Sequence, residues 1–251
     1  MLTMLAAVSL LSFGLSFLFA LGGVGSAVVL VPVLYWLGYP LNEAKPTGLF
    51  VNTVSLIGAS YNNIRHGRLD FRLGIPIIVS SVIMAPVGAY ASKLIPHTVV
   101  IGVFVAFLTF SGLMMLFFKS AKYKDRFRED RPVFSMIGIG ALAGFISGLL
   151  GVGGGGLISP LMVMLGFNPK KIAAITAFVV PFSSLSGFIT YTAMGHFDVM
   201  LVLPVGLMAY LGGYLGTRFM QHRLSPGTVK KILAVLVLLL GFKMLLKLLP
   251  V

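Results

Sequence analysis

Four consecutive glycines, Gly153, Gly154, Gly155 and Gly156, follow Gly151 in the stretch 148–161, Gly-Leu-Leu-Gly-Val-Gly-Gly-Gly-Gly-Leu-Ile-Ser-Pro-Leu. Each glycine weakens a helix by about 1 kcal/mol relative to alanine, so the run predicts an unwound break between two apolar helices. Backbone N–H groups freed at the start of the second helix form a positive-ended, donor-rich cradle suited to an anion. No Lys or Arg lies near these glycines in the sequence, so the peptide dipoles alone would supply the attraction. A weaker copy stands at 20–33, where Gly22, Gly23, Gly25 and Ser26 are the matching candidates. The run also fits G-x-G-x-x-G, but a dinucleotide site needs a strand before it and an αβ unit around it. Apolar segments flank it here, and no Gly-Lys-Ser/Thr follows to grip a phosphate. Close helix packing is the bland alternative, and it suits the spaced series Gly140, Gly144 and Gly148, which lets helices approach in lipid.

Uncharged polar side chains form a second tier. Thr47 and Asn52 follow the first break, and Thr176, Ser183 and Ser184 follow the second. Hydroxyl and amide donors along a path bind oxyanion oxygens; equally, Ser and Thr bond back to their own helix. Pro32 and Pro160 each lie seven residues after a glycine of the breaks. Proline frees a carbonyl and kinks a helix, so both are hinge candidates or simple shaping elements. His66, Asp70, His196 and Asp198 occupy two similar short segments. A proton relay is conceivable there, but an Asp that caps the next helix is the simpler reading. Four scattered histidines give no metal site. No nucleophile elbow or His-Glu pair supports hydrolysis, so neither an enzyme nor a cofactor is implied.

The elements that must position these residues are membrane helices. The chain has 251 residues, 58% hydrophobic and 10% charged, with a mean hydropathy of +1.02. Soluble domains carry roughly a quarter charged residues, so this surface faces lipid. Continuously apolar runs at 2–21, 47–61, 73–92, 98–118, 133–150, 173–192, 199–219 and 229–249 approach the roughly 20 residues that a membrane helix needs. They do not alternate as barrel strands do. The first run lacks the positive charge that opens a signal peptide and is read as a retained span. Cysteine is absent, which excludes disulfides and thiolate metal sites. The net charge of +13 is read as loop charge on one membrane face, not as a nucleic-acid surface.

Sliding the chain by 128 residues matches Leu21, Gly23, Val24, Gly25, Pro32, Leu37 and Gly38 with Leu149, Gly151, Val152, Gly153, Pro160, Leu165 and Gly166, seven identities in eighteen positions. A one-residue slip pairs Thr47 and Ser55 with Thr176 and Ser184. We therefore expect an all-α polytopic membrane protein of two homologous halves, 1–118 and 133–251, with four or five segments each and glycine-broken helices. The basic linker 119–132 between them is expected in the cytoplasm. If each glycine break is a hairpin of two crossings, the halves are inverted and fifteen Lys/Arg face the cytoplasm against four outside. If each is one broken span, the halves are parallel and the split is eleven to eight. The positive-inside rule favours inversion, a recurring plan in secondary transporters.

The duplicated unit, the 148–161 motif with its following proline, and the copy at 20–33 resemble the TauE/SafE family of sulfite exporters and sulfonate permeases. That resemblance covers essentially the whole chain. It implies a multi-pass transporter of the prokaryotic cytoplasmic membrane that handles sulfite, sulfonates or related organic anions. Members are described with about eight spans, against the ten that charge counting favours. Ser26, Ala27 and Val28 stand opposite Gly154, Gly155 and Gly156, so an asymmetric site is expected. The partners expected are a small anionic solute and the bilayer, with no nucleic acid; a homo-oligomer is left open. The rival reading is a non-transporting assembly or sensor subunit.

Overall fold

A computed structural model describes residues 2–19, 23–65, 69–117, 130–196, 198–223 and 226–248. Among them lie ten α-helices: α1 (Leu2–Phe19), α2 (Ala27–Trp36), α3 (Leu41–Arg65), α4 (Phe71–Leu94), α5 (His97–Phe117), α6 (Val133–Leu150), α7 (Gly155–Met164), α8 (Pro169–Ala193), α9 (Val199–Arg223) and α10 (Pro226–Leu248). Helix lengths recur in order: 18, 10, 25, 24 and 21 residues, then 18, 10, 25, 25 and 23. Residue Gly22 and most of the linker, 119–129, lie outside the described residues.

Five helical stretches are long and apolar enough to cross a bilayer: Phe71–Leu94, His97–Phe117, Val133–Leu150, Lys171–Ala193 and Val199–Gly216. The packing explains why apolar residues cover every face. On α4, Ile75, Val79, Ile83 and Val87 are exposed at helical spacing, while Leu73, Ile77, Ser80, Ser81 and Ala85 are buried. The outer face meets lipid and the inner face takes small residues, the reverse of a soluble helix. In α3, Lys45, Thr47, Asn52, Thr53 and Ser55 are all buried, so its polarity is hidden inside the bundle.

Helix directions follow from which residues touch. Ser60 donates to Ala177 O and Phe50 packs on Phe188, so α3 and α8 are antiparallel. Gly112 lies against Leu238 and Gly241 against Leu108, so α5 and α10 are antiparallel. Parallel pairs also cross between the chain's halves. Gly140, Gly144 and Gly148 of α6 seat on Ile77, Ser81 and Ala85 of α4, and Gly212 and Gly216 of α9 seat on Phe13 and Phe17 of α1. The spaced series Gly140, Gly144 and Gly148 is thus a close-packing seam.

The end of α2, the start of α3, the ends of α4 and α8 and the start of α5 meet around one cavity. The C-terminal turn of α6 reaches the same end, where Gly151 abuts Lys45. From there α7 returns toward the opposite end, as α2 returns after α1. Each glycine break is therefore a hairpin, and each helix of 2–117 runs opposite to the helix of matching order in 133–248. At 1.5 Å per residue α2 and α7 are only about 15 Å long, half of a hydrocarbon layer about 30 Å thick. Arg65, Arg72, Arg131, Lys171 and Arg218 lie at one end of the bundle and Lys45, Lys93 and Lys243 at the other; Lys243 stands 4.3 Å from the Trp36 ring centroid.

The candidate anion site at the crossed glycine breaks

Both breaks fold by one recipe. Gly151 ends α6 in the left-handed region at φ 76°, donating to Ser147 O, and Gly153 follows at φ 72°. Gly23 and Gly25 repeat this at φ 64° and 85°. Only glycine enters that region without penalty. Gly154 then caps α7, its carbonyl accepting from Leu157 N and Ile158 N at 3.0 Å, and Ser26 does the same for α2.

The breaks touch. A Cβ on Gly155 would stand 2.6 Å from Val24 O, one on Gly154 2.9 Å from Ala143, and one on Gly156 2.7 Å from Phe107. A Cβ on Gly153 or Gly25 would strike the Asn52 side chain. The helix does lose its winding here, as the glycine count predicts, yet every glycine of the run is also buried and tightly neighboured. Packing accounts for their small size; it does not account for the polar groups between them.

Asn52 is fully buried and joins the two breaks. Its Oδ1 accepts from Ala27 N at 3.0 Å, the first amide of α2, and its Nδ2 donates to Val152 O at 2.8 Å inside the second break. Among the described residues the first amide of α7 has no such partner. In the slipped alignment Pro181 stands opposite Asn52, and proline carries no amide side chain. Among the described residues no acceptor meets the backbone N–H of Gly155 or Gly156. Ser184 is fully buried with no hydrogen-bond partner for its hydroxyl. Its Oγ lies 3.1 Å from where a Cβ on Gly153 would stand. The start of α7 thus combines free amides, the positive end of a helix dipole and an unspent hydroxyl in a desolvated setting, a combination that attracts an oxyanion.

The remaining sequence-derived candidates divide. Ser26 and Ser16 share a hydrogen bond at 2.8 Å within the first break. Thr176 accepts from Ser159 of α7 at 3.1 Å. Thr47 donates to Glu43 O and Ser183 to Val180 O, each on its own helix. Both α2 and α7 run unbroken through Pro32 and Pro160. Pro160 leaves Gly156 O without its helical amide, and Ser111 Oγ donates to that carbonyl at 3.1 Å. Asp198 caps α9 through Met200 N at 2.9 Å, and Asp70 caps α4 through Arg72 N at 3.2 Å. Asp70 also pairs with Lys171 at 2.9 Å, and the lysine's hydrogen bond holds the carboxyl below its ordinary range. His66 lies outside the described residues.

One expectation is corrected. A lysine does lie beside the glycines: the backbone and stem of Lys45 of α3 back onto Gly151, whose Cβ would stand 2.5 Å from Lys45 Cα, while its ammonium reaches Ser92. Sequence distance hid it, because the two residues belong to different halves of the chain.

A family model described as "Sulfite exporter TauE/SafE" matches residues 8–244. The chain belongs to the TauE/SafE family. The "Probable membrane transporter protein YunE" of Bacillus subtilis is 25% identical over 250 residues, covering 89% of this chain and 90% of its own. The "Probable membrane transporter protein MJ0441" of Methanocaldococcus jannaschii is 26% identical over 263 residues, covering 98% and 97%. Arabidopsis thaliana "Sulfite exporter TauE/SafE family protein 6" is 34% identical over 80 residues, 32% of this chain and 19% of its own. No solved structure matches. The protein is thus a multi-pass membrane transporter of TauE/SafE type.

Proposed function

We propose that this TauE/SafE protein is a secondary carrier that moves a small oxyanion, sulfite or a sulfonate or related organic anion, through a site at the N-terminus of α7. The carrying observation is the pairing of α7's unbonded first amides with the unbonded, fully buried Ser184 hydroxyl. A buried polar group left without a partner costs about 1–3 kcal/mol, and a bound oxyanion would satisfy several at once. The bound state sits at a pair of half-helices between oppositely running helix sets, the arrangement in which secondary carriers place their solutes.

Ser184→Ala tests the reading, because it removes the hydroxyl without touching a packed glycine. Gly155→Ala would not serve, since its methyl would strike the backbone of the other break. With purified protein in liposomes and radiolabelled sulfite or a short sulfonate, we expect Ser184→Ala to lower flux at least tenfold. Its thermal midpoint should stay unchanged or rise, because an unsatisfied buried hydroxyl has been removed. Wild-type flux from Ser184→Ala would overturn the site.

A further inference from the structure

Lys45 is 4% exposed, and among the described residues no carboxylate pairs with it. Its ammonium donates to Ser92 Oγ, leaving two of its three N–H groups unspent. A charge buried in this way costs several kcal/mol unless something compensates it, and an ionisable residue inside a membrane protein marks a functional site by default. Lys45 lines a cavity of about 360 Å³ at the bundle end opposite the basic linker. Lys93, His97 and His196 also face this cavity, and among the described residues no Asp or Glu does. Beside the polar Asn42 and Ser92, the wall has an apolar part formed by Leu41, Ala89 and Met194 among others.

We propose that this cavity is a second, outer anion site, which takes a small organic anion by its charged head at Lys45 and its apolar body against Leu41, Ala89 and Met194. Three observations converge. The lysine is buried and lacks a counter-charge. The lining has one sign of charge, which focuses field in a low-dielectric cleft. The volume is several times what a bare inorganic oxyanion fills and lies within the range of small-molecule pockets. Lys45 also backs onto Gly151, the first residue of the second break, so an anion held here stands at the entrance to the buried α7 site. The inference deepens the carrier reading by naming the solute class, organic anions over sulfite, and it rests on that reading only for what happens after binding.

The experiment is calorimetric titration of the purified full chain in nanodiscs with 1-propanesulfonate and with sulfite, alongside liposome flux of both. Expected results are binding of 1-propanesulfonate at least fivefold tighter than sulfite, a loss of at least tenfold in Lys45→Met, and retention within threefold in Lys45→Arg. Should Lys45→Met fail to fold, Asn42→Asp places a carboxylate on the exposed cavity rim and should weaken binding at least fivefold. Wild-type affinity in both Lys45→Met and Asn42→Asp, or sulfite bound as tightly as 1-propanesulfonate, would overturn the proposal. Binding that depends on Lys45 in a protein that shows no flux would sink the carrier reading and leave the outer site standing. Flux whose KM ignores Lys45→Met would do the reverse.

Discussion

Asn52 holds the centre of the molecule by its two amide atoms. Asn52→Leu keeps the volume and strands Ala27 N and Val152 O, each without a partner in a buried setting. At about 1–3 kcal/mol for each stranded group, we expect a large fall in the thermal midpoint, together with lost flux. Asn52→Asp should fail as well, because a carboxylate keeps the bond to Ala27 N but repels Val152 O. Thermal unfolding of the two variants beside Ser184→Ala separates the roles: removing a bonded amide destabilises, and removing an unbonded hydroxyl does not. Asn52 stood out in the sequence because an amide is costly to bury in lipid, but its partners did not. They lie on α2 and in the second break, and nothing local to α3 announces either. Lys45 was missed for the same reason, since its contact with Gly151 exists only once α3 lies against the end of α6.

The elements were more legible than the contacts. Glycine runs placed both breaks, and the bend residues Gly38 and Gly166, at φ 93° and 95°, end α2 and α7 alike. The true lengths of these half-helices were not legible, because apolar residues continue past Trp36 and only the backbone turn at Gly38 ends the helix. Two glycines show the two reasons for the residue. Gly38 has open space around its absent Cβ but a left-handed backbone, whereas Gly148 is helical and its Cβ would overlap Ala85 O of α4. Gly38→Ala should cost about 1 kcal/mol in backbone strain. Gly148→Ala must push α4 and α6 apart and should cost about 3 kcal/mol or more. Denaturation midpoints in detergent check the order, and equal losses would show that the α4–α6 seam yields more readily than its geometry allows.

Across the whole molecule the two ends are built from corresponding parts with different chemistry. At the linker end, the first turn of α8 meets the α3–α4 connection through Lys171 and Asp70 at 2.9 Å. At the cavity end, the first turn of α3 meets the α8–α9 connection through Asn42 and His196 at 3.4 Å. An ion pair spans the first junction, and a longer side-chain contact spans the second, beside the cavity. Lys171 and Asn42 correspond in the slipped alignment, yet α3 and α8 run antiparallel and carry them to opposite faces. The chain contains no cysteine, so Asn42→Cys and Lys171→Cys report their positions without background. The ion pair lost in the second variant is partly exposed, and such pairs contribute about 0–1 kcal/mol, so both proteins should fold. With the positively charged end in the cytoplasm, a membrane-impermeant maleimide added to intact cells should label Asn42→Cys and spare Lys171→Cys, and inside-out vesicles should reverse the pattern. Labelling of both from one side would mean that the hairpin at each glycine break does not carry the chain back across the bilayer. The opposed half-helices, and the anion site proposed where they cross, would then lose their footing together.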